Sequence, residues 1–243
     1  MKDVAYRKER QERQRQANIN ITNMWLKKKA NVMRNSSLFS EKGALKHKFS
    51  DIKPVNKTFE AAAKKAKKIS EEYKQLDTDK SGSVQDGFIT FLQGSPGVGK
   101  TMLGVCILND VQKNFKSPVS CLFVSITLLQ RYALEKNNDM KSFDVYDGMM
   151  RNIRKADFVL IDDLGSETSM NNRDIKFANQ TTSSMLFNIF DSRLGRSTII
   201  TTNYSSSQFE QMYNEKILDR CVPSNEDHII KFEGIPSYRR KML

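Results

Sequence analysis

The sequence predicts an α/β protein: a five-stranded parallel sheet sheathed by helices, preceded by a small, basic helical region. Three features lead to that reading. From residue 88 onward, five short apolar runs alternate with helical stretches, the order expected of a parallel, helix-covered sheet. The first run enters a glycine-rich turn, Gly94–Thr101, that opens directly into a helix. The charge is also lopsided: residues 1–80 carry 21 Lys and Arg against 10 Asp and Glu, while residues 81–243 carry 19 against 18. The first third is therefore a different kind of surface, suited either to a polyanion or acidic protein patch or to life as a solvated arm.

In chain order, residues 1–35 hold no Gly or Pro and are rich in Arg, Lys, Gln, Glu, Asn and Met, so they read as helix, with a break expected near Asn18–Asn23. Ile21, Met24, Trp25 and Leu26 supply an apolar face too small for a core of its own. Residues 36–57 form a polar connector. A helix follows from Lys57 to Leu76, where Phe59, Ala62, Ala63, Ala66, Ile69 and Tyr73 recur at helical spacing with lysines opposite. Asp77–Ser83 is an exposed loop. Phe88–Gln93 is the first strand and Thr101–Lys116 its helix. Pro118–Ile126 is the second strand, with helical material up to Lys155. Phe158–Ile161 is the third, apolar throughout, as a strand covered on both faces should be. Asn179–Ser192 is a helix with Met185, Leu186, Ile189 and Phe190 inward. Thr198–Thr202 is the fourth strand, Phe209–Cys221 a helix and His228–Phe232 the fifth strand. The chain divides into a basic helical region (1–50), a linker with a leading helix (51–87) and the sheet domain (88–243).

Composition narrows the class. No apolar run approaches the roughly 18 residues of a membrane span, and the N-terminus lacks the apolar centre of a secretion signal. Cys106, Cys121 and Cys221 are widely spaced and odd in number, against both a disulfide framework and a zinc site. A reducing cytoplasm, of a bacterium or a phage-infected host, is the expected location, with no membrane partner.

The chemistry lies at strand ends. Gly94, Ser95, Pro96, Gly97, Val98, Gly99, Lys100 and Thr101 satisfy G-x-x-x-x-G-K-[ST] between a strand and a helix. Glycines let successive backbone N–H groups turn toward phosphate oxygens, and the helix N-terminus adds its positive end. Lys100 is then placed for the β- and γ-phosphates and the Thr101 hydroxyl for Mg²⁺. Val159–Asp163 ends an apolar strand in two carboxylates: Asp162 is the candidate to hold Mg²⁺ and Asp163 to polarise an attacking water. An acidic pair opening a loop is ordinary by itself; some 60 residues beyond a phosphate loop it acquires a purpose. Asn203, after the strand Thr198–Thr202, is a candidate to orient that water, although Asn after a strand is commonly a turn residue. Arg220 and the pair Arg239–Arg240 are candidates to stabilise charge on the transferring phosphoryl group.

Together these motifs resemble those of AAA+ P-loop ATPases, and among them the replicative helicase loaders of the DnaC/DnaI type. The likeness rests on Gly94–Thr101 as Walker A, Val159–Gly165 as Walker B, Ser197–Asn203 as the sensor 1 strand, Ile217–Arg220 as the arginine-finger region and Ser237–Arg239 as a short sensor 2. The resemblance implies ATP and Mg²⁺ as cofactors and a slow hydrolysis to ADP and phosphate, stimulated by single-stranded DNA or oligomerisation. It implies that Arg220 completes a neighbouring subunit's site in a ring or spiral, with Arg193 and Arg196 as rivals, and that Arg239 senses the γ-phosphate in cis. Asp163 stands where many AAA+ proteins carry Glu, and its shorter reach suits a switch better than a fast motor.

Two partners are implied as well: a hexameric DnaB-type replicative helicase and single-stranded DNA. Residues 1–50 are expected to dock on the helicase through Met24, Trp25 and Leu26, without the zinc module of one branch, since no cysteine precedes Cys106. For DNA, the stretch between the second and third strands offers Arg131, Lys141, Phe143, Tyr146, Arg151 and Arg154 as charge and stacking surfaces. Two alternatives stay open: a transposition regulator of the IstB type, and a nucleotide-switched DNA-binding adaptor with negligible hydrolysis. A DnaA-like initiator is disfavoured, because the stretch after Arg220 has no room for a helix-turn-helix.

Overall fold

Alternating side-chain direction along strands buried on both faces decides the layers. The computed structural model describes residues 2–39, 43–168 and 175–237. Within them five strands, β1 (Ile89–Gln93), β2 (Cys121–Ser125), β3 (Phe158–Leu164), β4 (Ser197–Thr202) and β5 (Ile229–Lys231), form one parallel sheet in the order β2-β3-β4-β1-β5. The helices, in chain order, are α1 (Lys2–Ala30), α2 (Val32–Ser36), α3 (Lys57–Gln75), α4 (Lys100–Asn114), α5 (Ile126–Glu135), α6 (Met140–Lys155), α7 (Gln180–Ser192), α8 (Ser206–Met212) and α9 (Glu215–Cys221). Successive side chains leave a strand on opposite faces. Leu92, Phe123, Leu160 and Ile199 thus enter one apolar layer beneath α3 and α4. Phe91, Leu122, Val159, Ile161 and Ile200 enter the other, beneath α5 to α9. The result is the helix-covered α/β sheet that the alternation predicts, with all strand C-terminal ends on one edge.

The strands lie where expected, with one informative extension. β3 continues past the apolar Ile161 through Asp162 and Asp163 to Leu164. Ile161 pairs with Ile200 and Leu164 with Thr202, so three steps on β3 face two on β4 and one residue bulges at the aspartates.

Three expectations need correction. α1 runs unbroken through Asn18–Asn23, because polar groups there bond within the helix: Thr22 Oγ1 donates to the Asn18 carbonyl at 2.9 Å. The turn comes instead at Asn31, whose side chain closes on the Lys27 carbonyl. The connector 36–57 is not a free linker. Leu38 bridges to Val124 on the edge strand, exchanging backbone hydrogen bonds with Phe123 and Ser125, while Phe39, Leu45, Phe49 and Ile52 pack against the first core layer. Finally, the helix expected over Phe209–Cys221 is two. α8 starts earlier, on a Ser205/Gln208 capping box, and α9 restarts on Asn214, whose side chain accepts from Ile217 N.

Among the described residues, the contacts that anchor the basic N-terminal helix lie at its C-terminal end. Lys29, buried, pairs with the buried Asp157 at 3.1 Å and also bonds the Gly82 carbonyl. Trp25 lies over the Lys29 ammonium at 5.0 Å and against Gly82. Residues 10–25 are otherwise exposed, Ile21 and Met24 included.

Candidate functional site

The glycine-rich loop leaves β1 and enters α4 at the C-terminal edge of the sheet. Gly99 caps α4 with φ +97°, a left-handed conformation, and a Cβ there would lie 2.9 Å from Phe59 Cε2. Both the backbone and its aromatic neighbour therefore require glycine. The Lys100 stem is buried and its ammonium turns into the mouth of the loop, donating to the Gly94 and Ser95 carbonyls at 2.8 Å and to Asn203 Oδ1 at 2.6 Å.

Across from the loop, the bulge in β3 brings both carboxylates to the same edge. Asp162 Oδ1 accepts from the Thr101 hydroxyl at 2.8 Å and from the Thr201 hydroxyl at 2.7 Å. Burial raises the Asp162 carboxyl above its ordinary range and the neighbouring Asp163 charge adds to that, while the two hydroxyls and Lys100 pull it back. Asp163 takes a positive φ of 67°, uncommon outside glycine, at a cost of about 1–3 kcal/mol. Its amide donates to Thr201 Oγ1 at 2.9 Å and its Oδ1 accepts from Asn203 Nδ2 at 2.7 Å. Asn203 therefore bridges Lys100 and Asp163, and its amide orientation is forced: lysine can only donate, an ionised carboxylate only accept.

The residues expected at the phosphate loop, at the two aspartates and at Asn203 are thus brought together from β1, β3 and β4. Thr101 and Asp162 present hard oxygen donors side by side, which suits Mg²⁺, an ion that takes one or two protein oxygens and fills its shell with phosphate and water. Among the described residues no three His, Cys, Asp or Glu side chains form a metal site of their own.

The arginines part company. Arg220 lies outside this cluster, near the end of α9, its Nε on Asp191 Oδ1 at 3.0 Å and its guanidinium over the Phe187 ring at 4.8 Å. Arg193 is buried and donates to the carbonyls of Ile153, Ala156, Asp157 and Ser197, so it cannot reach a neighbour and drops out as a finger. Arg196 sits just before β4, on the sheet edge opposite the phosphate loop. Tyr238, Arg239 and Arg240 lie outside the described residues.

On the α5–α6 hairpin Arg131, Lys141, Phe143, Arg151 and Arg154 are exposed, whereas Tyr146 is half-buried beneath the Lys136 ammonium and leans on the second core layer. Arg151 is paired with Asp147. The sequence gives no role to Glu167, buried between Gly165 N and the Tyr213 hydroxyl, or to Thr201, whose single hydroxyl serves both aspartates. The run D-D-L-G-S-E was the available signal for Glu167.

Comparison with known proteins agrees with this geometry. The family model of IstB-like ATP-binding proteins matches residues 84–242. No curated protein matches the chain. Among solved structures, DnaI superposes with a TM-score of 0.57 at 22% identity, covering 80% of this chain and 95% of its own. The DnaC helicase loader gives 0.55 at 18%, covering 79% and 99%. AMPPCP-bound DnaA from Aquifex aeolicus gives 0.51 at 16%, covering 77% of this chain and 50% of DnaA. At these identities the structural likeness establishes the fold alone.

Proposed function

The chain belongs to the family of IstB-like ATP-binding proteins, and from that premise we propose that it is a helicase loader: an ATPase that holds a replicative DnaB-type hexamer and delivers it to single-stranded DNA. The observation that carries the ATPase half is the convergence of Lys100, Thr101, Asp162, Asp163 and Asn203 at one sheet edge. Lys100 exchanges its carbonyl partners for the β- and γ-phosphate oxygens, while backbone N–H groups of the loop and the head of α4 hold the rest. Thr101 and Asp162 hold Mg²⁺, which when bound neutralises charge on those phosphates. Asn203 fixes one oxygen of Asp163; the other orients the attacking water and receives its proton as the γ-phosphoryl leaves ADP. Arg220 completes the site of a neighbouring subunit in a ring or spiral, and Arg239 senses the γ-phosphate in cis.

Docking on the helicase falls to α1, which is basic, held to the ATPase body near Lys29, and exposes Ile21, Met24 and Trp25. Full-length protein is expected to capture a replicative helicase, and protein lacking residues 2–23 and carrying Met24→Ala and Trp25→Ala to bind ATP but lose that capture. Truncation at residue 50 is the wrong test, since it also removes Met33, Leu38 and Phe49 from the core. Retention of helicase by the shortened chain would end the assignment of α1. The family match itself favours a second reading, an IstB-type transposition regulator, which capture of a transposase in the same experiment would select.

A further inference from the structure

Among the described residues, Glu167 is the one buried carboxylate near the nucleotide edge that the proposed chemistry leaves unused. One of its oxygens accepts from Gly165 N at 2.8 Å, in the turn immediately after the aspartate bulge; the other accepts from the Tyr213 hydroxyl. Gln130 of α5 closes over the same corner, donating to the Glu167 carbonyl at 2.7 Å and to Thr182 Oγ1 at 2.9 Å. Gly165 lies flat under Tyr204: at its φ of +104° a Cβ would come within 2.4 Å of Tyr204 Cδ2. Tyr204 directly follows Asn203. Tyr213 stands between α8 and α9, and the next residue, Asn214, caps the helix that carries Arg220.

A continuous path therefore runs from the Asp162–Asp163 bulge through Gly165, Glu167 and Tyr213 to the base of the Arg220 helix. An apolar pair would fill this corner at less desolvation cost. A carboxylate with two obligatory donors instead accepts only one spacing between the turn and the helix. We infer that Glu167 and Tyr213 are positioning residues, forming a clasp that fixes the Arg220 helix against the nucleotide edge of its own subunit, and so governs how that subunit presents its arginine to the next. The inference rests on the reading of Arg220 as a trans-acting finger.

Mixed assemblies separate the two claims. Arg220→Ala protein keeps its own nucleotide site but supplies no finger. Asp163→Asn protein supplies a finger, keeps a residue that tolerates a left-handed backbone, and lacks the proposed base. Mixed, they should hydrolyse ATP about tenfold or more faster than the sum of the two alone, a modest share of what such an arginine contributes. No gain in this control overturns the trans-finger reading itself. With the control working, Tyr213→Phe or Glu167→Ala placed in the Asp163→Asn subunit should abolish the gain, although the altered subunit's own hydrolysis is already silenced. Glu167→Gln, which can still accept from Gly165 N and donate its amide to the Tyr213 oxygen, should retain most of it. Thermal melting and co-sedimentation confirm that each altered subunit folds and joins the assembly. Full stimulation from folded, co-assembled Tyr213→Phe and Glu167→Ala subunits overturns the clasp.

Discussion

Thr201 shows how little of a site a motif conveys. Its hydroxyl donates to Asp162 Oδ1 and accepts from the Asp163 amide, so one oxygen sets the carboxylate proposed to hold Mg²⁺ and pins the left-handed backbone of its neighbour. Thr201→Val keeps the shape and removes that oxygen; a fold cost of about 1–2 kcal/mol should accompany a loss of ATP turnover of about tenfold or more, with nucleotide binding retained. Unchanged turnover in the folded variant would remove Thr201 from the site. Glu167 makes the complementary point through pH. Burial pushes its carboxyl up from 4.5 to about 7, against the opposing hydrogen bonds from Tyr213, its own amide and Gly165. The folded chain therefore retains a proton that the unfolded chain releases, so this contribution to stability is complete below about pH 4.5 and fades as pH rises through about 7. Melting temperature should fall between pH 5.5 and 8 in the natural protein and fall less in Glu167→Gln; the raised Asp162 keeps some slope in both. Parallel curves would show that Glu167 is not the group responsible. The loop and aspartates were legible because their spacing along the chain is itself the chemistry. Thr201 and Glu167 were not, because their partners stand 38 and 46 residues away.

At the scale of elements, apolar periodicity carried the strands and the helix α3, whose inward residues are those the spacing selects. It failed where backbone pairing or capping, rather than side-chain burial, sets the boundary. The tip of β3 is acidic yet still paired, and the α8–α9 break is written in Ser205 and Asn214 caps inside one continuous amphipathic pattern. The connector's tie to the sheet is hidden for the same reason: Leu38 joins by a single bridge, too short for any periodic signal. The anchoring of α1 is a further case, resting on a buried ion pair, a Lys29 bond to the Gly82 carbonyl and a Gln112 bond to the Ala30 carbonyl. Asp157 also accepts from Ser120 N, Ser120 Oγ and Val84 N, so losing Lys29 leaves it hydrogen-bonded but without its ion-pair partner. Lys29→Ala should cost about 3–5 kcal/mol and open the chain around residues 24–31 to protease, with ATP binding intact. If cleavage there is no faster than in the natural protein, the ion pair does not hold α1.

Over the whole molecule, two basic surfaces are candidates for the single-stranded DNA of the proposed function: the exposed length of α1 and the α5–α6 hairpin. Their positions assign them different work. α1 is fastened at one end, at the N-terminal edge of β3 beside Asp157, the sheet edge opposite the phosphate loop. The hairpin follows β2, whose last residue Ser125 pairs in register with Asp162, so it is mechanically close to the nucleotide edge. On the proposed function, a DNA strand that responds to ATP belongs on the hairpin. There Arg131, Lys141 and Arg154 are exposed, while Arg151 is held by Asp147 and is the weaker phosphate ligand. Each phosphate neutralised on a single strand contributes about 0.7 to the slope of log affinity against log salt. Replacing the three with alanine should therefore lower that slope by about 2, weaken single-stranded DNA binding at low salt far more than at high salt, and leave DNA-free ATP turnover unchanged. Removing residues 2–23 should alter the slope much less. If the truncation takes the salt dependence and the triple substitution does not, DNA belongs to α1, and the helicase must dock elsewhere.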